Sequence, residues 1–115
     1  MSDCLFCKIA SGKIPAKLVH QDDDTVAFED INPQAPMHVL VIPRQHVAAT
    51  MNDLTPAQDQ VMGKLFRVAA AIAKERGVAE SGWRAVMNAN RDAGQTVFHV
   101  HLHVLGGRPM QWPPG

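Results

Sequence analysis

Three of the chain's six histidines, His99, His101 and His103, alternate with Val100, Leu102 and Val104 in the stretch HVHLHV. Successive side chains of a strand point to opposite faces with a rise of about 3.3 Å per residue. The spacing therefore predicts three imidazoles on one face, about 6.6 Å apart, and three apolar side chains directed into a core. The outer two rings would stand about 13 Å apart, whereas zinc–nitrogen bonds are near 2.1 Å, so one ion is not expected to collect all three. The three roles must be divided. Neutral imidazole can attack phosphorus or carbon, and its N–H can donate to anionic oxygens. A row of such rings beside a glycine turn suits a phosphate ester, with the middle ring placed to attack and its neighbours on the oxygens and leaving group. The alternative is a half-buried strand whose polar face happens to be histidine, and strict alternation of a residue otherwise sparse in this chain tells against it.

Cys4 and Cys7 form a single C-x-x-C. A structural zinc site needs four ligands and there is no second such pair, so zinc and free thiols both stay open at this point. No thioredoxin-like context surrounds the motif to suggest redox work.

The elements that must position these groups follow from periodicity and punctuation. The segment SDCLFCKIASGKIP has Ser2 and Asp3 as N-cap candidates, Leu5, Phe6 and Ile9 at helical spacing and Gly12 as a stop, which predicts a short N-terminal helix. AKLVHQ and TVAFED, separated by the acidic turn DDD, read as a hairpin. The prolines of DINPQAP enforce a loop before the β-branched strand MHVLVIP. In TPAQDQVMGKLFRVAAAIAKERG, Thr55 is the N-cap, Pro56 the first helical residue and Gln58 the capping-box partner; Val61, Leu65, Val68, Ala69 and Ile72 form the apolar stripe, and Gly77 ends the helix. WRAVMN and VFHVHLHVL read as two further strands around NANRDAG, and residues 106–115, rich in Gly and Pro, as an irregular tail. About five strands with one long helix between the third and fourth predict an α+β fold with a mainly antiparallel five-stranded sheet, one long helix and a short N-terminal helix.

Bulk properties narrow the partners. Lys plus Arg equals Asp plus Glu at 11 each, so no net field draws the chain to polymeric nucleic acid or an anionic membrane. The opening MSDCLFCKIA lacks the apolar run of a signal peptide, no stretch approaches the roughly 18 apolar residues of a membrane span, and two cysteines make no disulfide framework. These features imply a cytoplasmic protein, and 115 residues imply one domain over 1–115.

HVHLHVL resembles the His-x-His-x-His-x-x signature of the histidine triad (HIT) family of nucleotide hydrolases and transferases. DINPQAPMHVLVIPRQH and the ending GGRPMQWPPG resemble its Hint branch, the purine nucleoside phosphoramidases, and the likeness extends over nearly the whole chain in three ordered motifs. The resemblance implies a HIT-like fold and hydrolysis of purine nucleoside 5′-phosphoramidates, of the AMP-amine or aminoacyl-adenylate type. It assigns His101 as the nucleophile that forms a nucleotidyl-histidine, with its other ring nitrogen held by the main-chain carbonyl of His99. It places His103, Asn88 and Thr96 at the phosphate or leaving group and His38 beside the triad. It assigns Asp30 to the ribose hydroxyls, a task suited to an acceptor-only carboxylate, and Leu5, Phe6, Ile9, Phe28 and Ile31 to an apolar slot for the base. Gln95 and Val97, flanking Thr96, join the nucleotide-binding set. Taken alone, Asn88 and Thr96 are ordinary turn residues and the apolar five ordinary core.

The resemblance also implies that Cys4, Cys7, His46 and His99 can form a closed structural zinc site, that catalysis requires no cofactor, and that the protein is a homodimer whose two sheets join, with Trp112 near the neighbouring site. Thr96 stands where close Hint relatives often carry Ser, and AGQTV reads more like the branch that hydrolyses dinucleoside polyphosphates. Two alternatives therefore stand beside the phosphoramidase: a dinucleoside polyphosphate hydrolase of the same fold, and a zinc-containing nucleotide-binding scaffold whose activity is incidental.

Overall fold

A computed structural model describes residues 3–115. Helix α1 (Leu5–Ala10) leads into the hairpin β1 (Leu18–Gln21) and β2 (Thr25–Glu29), then β3 (Met37–Pro43), the long helix α2 (Asp59–Glu75), β4 (Trp83–Val86) and β5 (Leu102–Gly106). The sheet order is β1-β2-β3-β5-β4, and every neighbouring pair is antiparallel. This is the expected α+β architecture.

The period-2 pattern of the central strands sorts their side chains between two layers. Ala27, Val39, Val41, Leu102 and Val104 face α2 and pack with Leu65, Val68, Ala69, Ile72 and Ala73. Val26, Phe28, Leu40 and Ile42 point to the opposite face, where Phe6 of α1 closes over them. Because β3 is buried on both faces, its run reads as continuously apolar, with His38 as its one buried polar side chain.

Several boundaries differ from the sequence reading, each for a visible reason. The N-cap of α1 is Cys4, whose sulfur accepts from the Cys7 N–H at 3.3 Å; Asp3 lies in the preceding turn, and Ser2 is outside the described residues. Thr55, Pro56 and Gln58 form the expected capping box, but on a 3-10 turn (Pro56–Gln58) that precedes α2. In the stripe of α2, Val61 is only half-buried and Ala73 is buried instead. The last strand starts at Leu102, five residues later than VFHVHLHVL suggested. The Val100 N–H is spent on the Ala48 carbonyl at 3.1 Å, so the ladder to β3 opens only at Leu102 opposite Val41. That strand also takes in Gly106, so the irregular tail begins at Gly107.

Candidate active site

His101 is placed by its own strand's approach. Its Nδ1–H donates to the His99 carbonyl at 2.8 Å, which puts the neutral ring's lone pair on Nε2. Phe6 packs edge-on against it with ring centroids 5.0 Å apart. Burial pushes its pKa below the ordinary histidine value, outweighing the His99 carbonyl and the Asp30 carboxylate that pull it up. The ring is therefore neutral at pH 7.

His103 and His38 form a second unit. The main-chain N–H of Gln34 donates to His38 Nδ1 at 3.0 Å, so in the neutral ring the proton sits on Nε2. That Nε2–H donates to His103 Nδ1 at 2.9 Å and lies 3.3 Å from Asp30 Oδ2. His103, accepting at Nδ1, must carry its own proton on Nε2. Burial drives His38 downward against the pull of Asp30, so the carboxylate faces a neutral ring whose Nε2–H is given to His103. Burial, with His101 and His38 beside it, drives His103 down to about 4 against the same carboxylate. The cluster Asp30, His38 and His103 has ligand atoms close enough for a cation. The Gln34 donation nevertheless leaves His38 Nε2 protonated, and a protonated nitrogen cannot ligate.

His99 turns away from the other two. Its Nε2–H donates to the Pro43 carbonyl at 2.8 Å, freeing Nδ1, which lies 3.3 Å from Cys4 Sγ and 3.7 Å from Cys7 Sγ. His46 Nδ1 lies 3.7 Å from Cys7 Sγ. Burial, resisted by the Pro43 carbonyl and reinforced by His46 and His101, holds His99 down at about 4. Zinc–sulfur bonds near 2.3 Å and zinc–nitrogen bonds near 2.1 Å at tetrahedral angles put ligand atoms roughly 3.6 Å apart. The three sulfur–nitrogen separations of 3.3, 3.7 and 3.7 Å are near that figure, all four ligand atoms lie within 4.8 Å of one another, and the Pro43 carbonyl supplies the outer hydrogen bond that would fix a ligating imidazole.

The remaining candidates divide. Asp30 sits at the end of β2 with Oδ1 accepting the Asn32 N–H at 2.8 Å, which leaves lone pairs on a partly exposed carboxylate beside the triad. Asn88 is half-buried, Thr96 exposed and Val97 half-buried. Thr96 lines an open cavity of about 660 Å³ with Ala89, Asn90, Arg91, Gly94 and Phe98. Gln95 is consumed structurally: its Oε1 accepts the Asn90 N–H at 2.8 Å, and its Nε2 donates to the Ala49 and Val97 carbonyls at 2.8 and 3.1 Å. Among the apolar five, Phe6 and Phe28 are buried core rings 5.4 Å apart and Ile9 packs beside them, whereas Leu5 and Ile31 stand exposed, Ile31 completely. Sequence reasoning missed the main-chain groups of Gln34 and Pro43, which set the tautomers of His38 and His99. A peptide group leaves no mark in residue type, so no motif could have signalled them.

Comparison with known proteins identifies the fold and the family. Residues 11–110 match the family model of the HIT domain. The chain is 47% identical over 108 residues to the purine nucleoside phosphoramidase of Escherichia coli (strain K12), covering 94% of this chain and 90% of that protein. The structure superimposes on a HIT family hydrolase from Legionella pneumophila Philadelphia 1 with a TM-score of 0.95 and 49% identity, covering 98% of this chain and all of that one. It also resembles a histidine triad nucleotide-binding protein from Candida albicans, at a TM-score of 0.82 and 31% identity over 96% of this chain and 83% of that one. With the triad, the fold and the family model in agreement, the chain belongs to the HIT family and is one of its hydrolytic enzymes.

Proposed function

We propose that this enzyme hydrolyses purine nucleoside 5′-phosphoramidates through a nucleotidyl-histidine on His101. The observation that carries the reading is the Nδ1–H to His99 carbonyl bond, which leaves the lone pair of a neutral, buried ring on Nε2 as the nucleophile. The name of the Escherichia coli relative supports the substrate class.

In the first step His101 Nε2 attacks the α-phosphorus, the phosphorus–nitrogen bond breaks, and the departing nitrogen takes the Nε2 proton of His103. His103 is held for this by the His38 Nε2–H on its other nitrogen, which moves toward it as its own proton leaves. The positive charge of the nucleotidylated His101 ring lies against the negative charge spread over His103 and His38, with ring centroids of His101 and His103 5.0 Å apart. Water then attacks phosphorus, its proton returns to His103, and the nucleoside monophosphate departs from a restored His101. Splitting one difficult displacement into two is the gain of the covalent route.

Asp30 accepts the ribose hydroxyls with its free lone pairs, and Leu5 and Ile31, exposed beside buried Phe6 and Phe28, border the slot for the purine. Asn88, Thr96 and the Thr96–Val97 main chain line the phosphate and leaving-group side, where Gln95 acts by holding that loop in place. Cys4, Cys7, His46 and His99 would hold a structural zinc, tying α1 to the segment that presents His101 and standing outside the chemistry, and catalysis needs no cofactor. The protein acts in the cytoplasm as a homodimer on a nucleotide, and among its described residues no helix is long and apolar enough to cross a membrane.

Incubation with adenosine 5′-phosphoramidate tests the reading. Wild type should release AMP, and His101→Ala should reduce the rate to background; equal rates for the two would sink it. Faster turnover of a diadenosine polyphosphate than of the phosphoramidate would move the assignment to the branch suggested by Thr96.

A further inference from the structure

The C-terminal tail does more than trail from the sheet. Gly107 has φ +92° and passes so close to Pro36 that a Cβ placed on it would lie 2.8 Å from the proline Cβ. The next residue, Arg108, donates from Nε to the Gln34 carbonyl at 3.0 Å and from Nη1 to the Pro109 carbonyl at 3.1 Å. Gln34 is the residue whose N–H sets the tautomer of His38. The rest of that loop is held by Asp30 Oδ1 on the Asn32 N–H and by the Gln34 side chain on the Asn32 carbonyl, contacts that do not fix the Gln34 N–H itself. The exposed Arg108 and the buried His38 thus bond to the carbonyl and the N–H of the same residue, Gln34, and His38 bonds in turn to His103.

We infer that Arg108 is a positioning residue for the proton-donating step: by holding the Gln34 carbonyl it keeps the Gln34 N–H on His38 Nδ1, and so keeps a donating proton on His103 Nε2. The inference rests on the reading of His103 as proton donor given above. If the Gln34 N–H swings away, only the Asp30 carboxylate 3.3 Å from Nε2 still favours that tautomer, and His38 gains a population with its proton on Nδ1 that accepts at Nε2. His103 then protonates Nδ1 and faces the leaving group with a lone pair. When the phosphorus–nitrogen bond breaks, the electron pair stays on nitrogen and finds no proton there. A leaving group that departs as a stable anion needs none, so the deficit is specific to amines. Arg108 is exposed and its hydrogen bond to a carbonyl adds little to stability, which separates positioning from folding.

Two measurements on the full-length protein decide the matter. In the first, wild type, Arg108→Ala and Arg108→Lys are compared on adenosine 5′-phosphoramidates of alkylamines and on the 4-nitrophenyl ester of AMP. Arg108→Ala should lose about tenfold or more in kcat on the amines, part of the range that a general acid supplies, and less than about twofold on the ester, with Arg108→Lys recovering part of the loss. Equal losses on both substrates, or none on either, overturn the inference. In the second, nitrogen-15 NMR of the histidine rings should show His38 and His103 as Nε2–H tautomers in wild type and a mixture in Arg108→Ala. Unchanged tautomers in the variant overturn the inference even if the enzyme turns over none of these substrates, so its failure is distinct from failure of the proposed function.

Discussion

Three histidines of one motif have been given three different neighbours, and those neighbours decide their chemistry. His101 has a carbonyl on one nitrogen and a lone pair on the other; His103 has an imidazole donor on one nitrogen and a proton on the other; His99 has a carbonyl on one nitrogen and two sulfurs facing the other. All three are neutral at pH 7 because burial is the largest influence on each. A pH prediction follows at this scale. His103 titrates near 4 when folded, below its ordinary value of 6.5. Between those values the unfolded chain binds more protons than the folded one, so the stability contributed by a neutral His103 is complete above 6.5 and is lost as pH falls through 4. Urea midpoints should hold level from pH 8 to 6.5 and decline from 6.5 to 4, and kcat/KM should keep its plateau below 6.5 before falling in the same acid range. A kcat/KM profile that halves near 6.5 would mean that the catalytic rings titrate as exposed histidines.

At the scale of elements, α1 is the piece least able to stand alone. Six residues make fewer than two turns, too few for an isolated helix to persist in water. Phe6 ties it to Phe28 and to both His99 and His101, with ring centroids 5.4, 6.0 and 5.0 Å away. Arg44 Nη1 donates to the Ala10 carbonyl at its other end, at 3.0 Å. The Cys2His2 set adds the last tie, joining α1 to the residue whose carbonyl orients the nucleophile. Purified protein should carry about one zinc per chain, and Cys7→Ala should lose it, lower Tm by several degrees and weaken turnover through a displaced His101. Metal analysis with a thermal melt checks this, and a metal-free wild type with an unchanged melt in Cys7→Ala would leave the cysteines as plain thiols. The long helix and the core strands were legible in the sequence because their periods are clean. The opening of β5 was not, since alternation continues through His99–His101 although the Val100 N–H has left the ladder for Ala48. The second role of Gln95 was not legible for a related reason: its place beside Thr96 singles it out, while its side-chain amide bonds three main-chain groups that residue type does not announce.

At the scale of the molecule, the sheet has two edges that are not equivalent. β1 is short, largely exposed and irregular in register between Leu18 and His20, features that blunt an edge against pairing. β4 has four residues, all half-buried, in unbroken register with β5, and its outer row of main-chain groups faces no strand among the described residues. Arg84 on that edge donates to the Gln111 carbonyl at 2.9 Å and stacks over Trp112 at 6.0 Å, so the tail is gathered alongside the same edge. An open, regular edge next to an exposed tryptophan, 82% accessible, is a surface suited to a second copy of the chain. Pairing of β4 with its two-fold mate would extend five strands to ten and bring each Trp112 toward the neighbouring subunit. Light scattering on the purified protein should give twice the 12.5 kDa of one chain. Hydrogen exchange should then separate the two edges: the outward amides of residues 83–86 should be protected to the level of the central strands, while those of 18–21 exchange quickly. A particle of single-chain mass at micromolar concentration, with rapid exchange along β4, would make each active site the product of one chain alone.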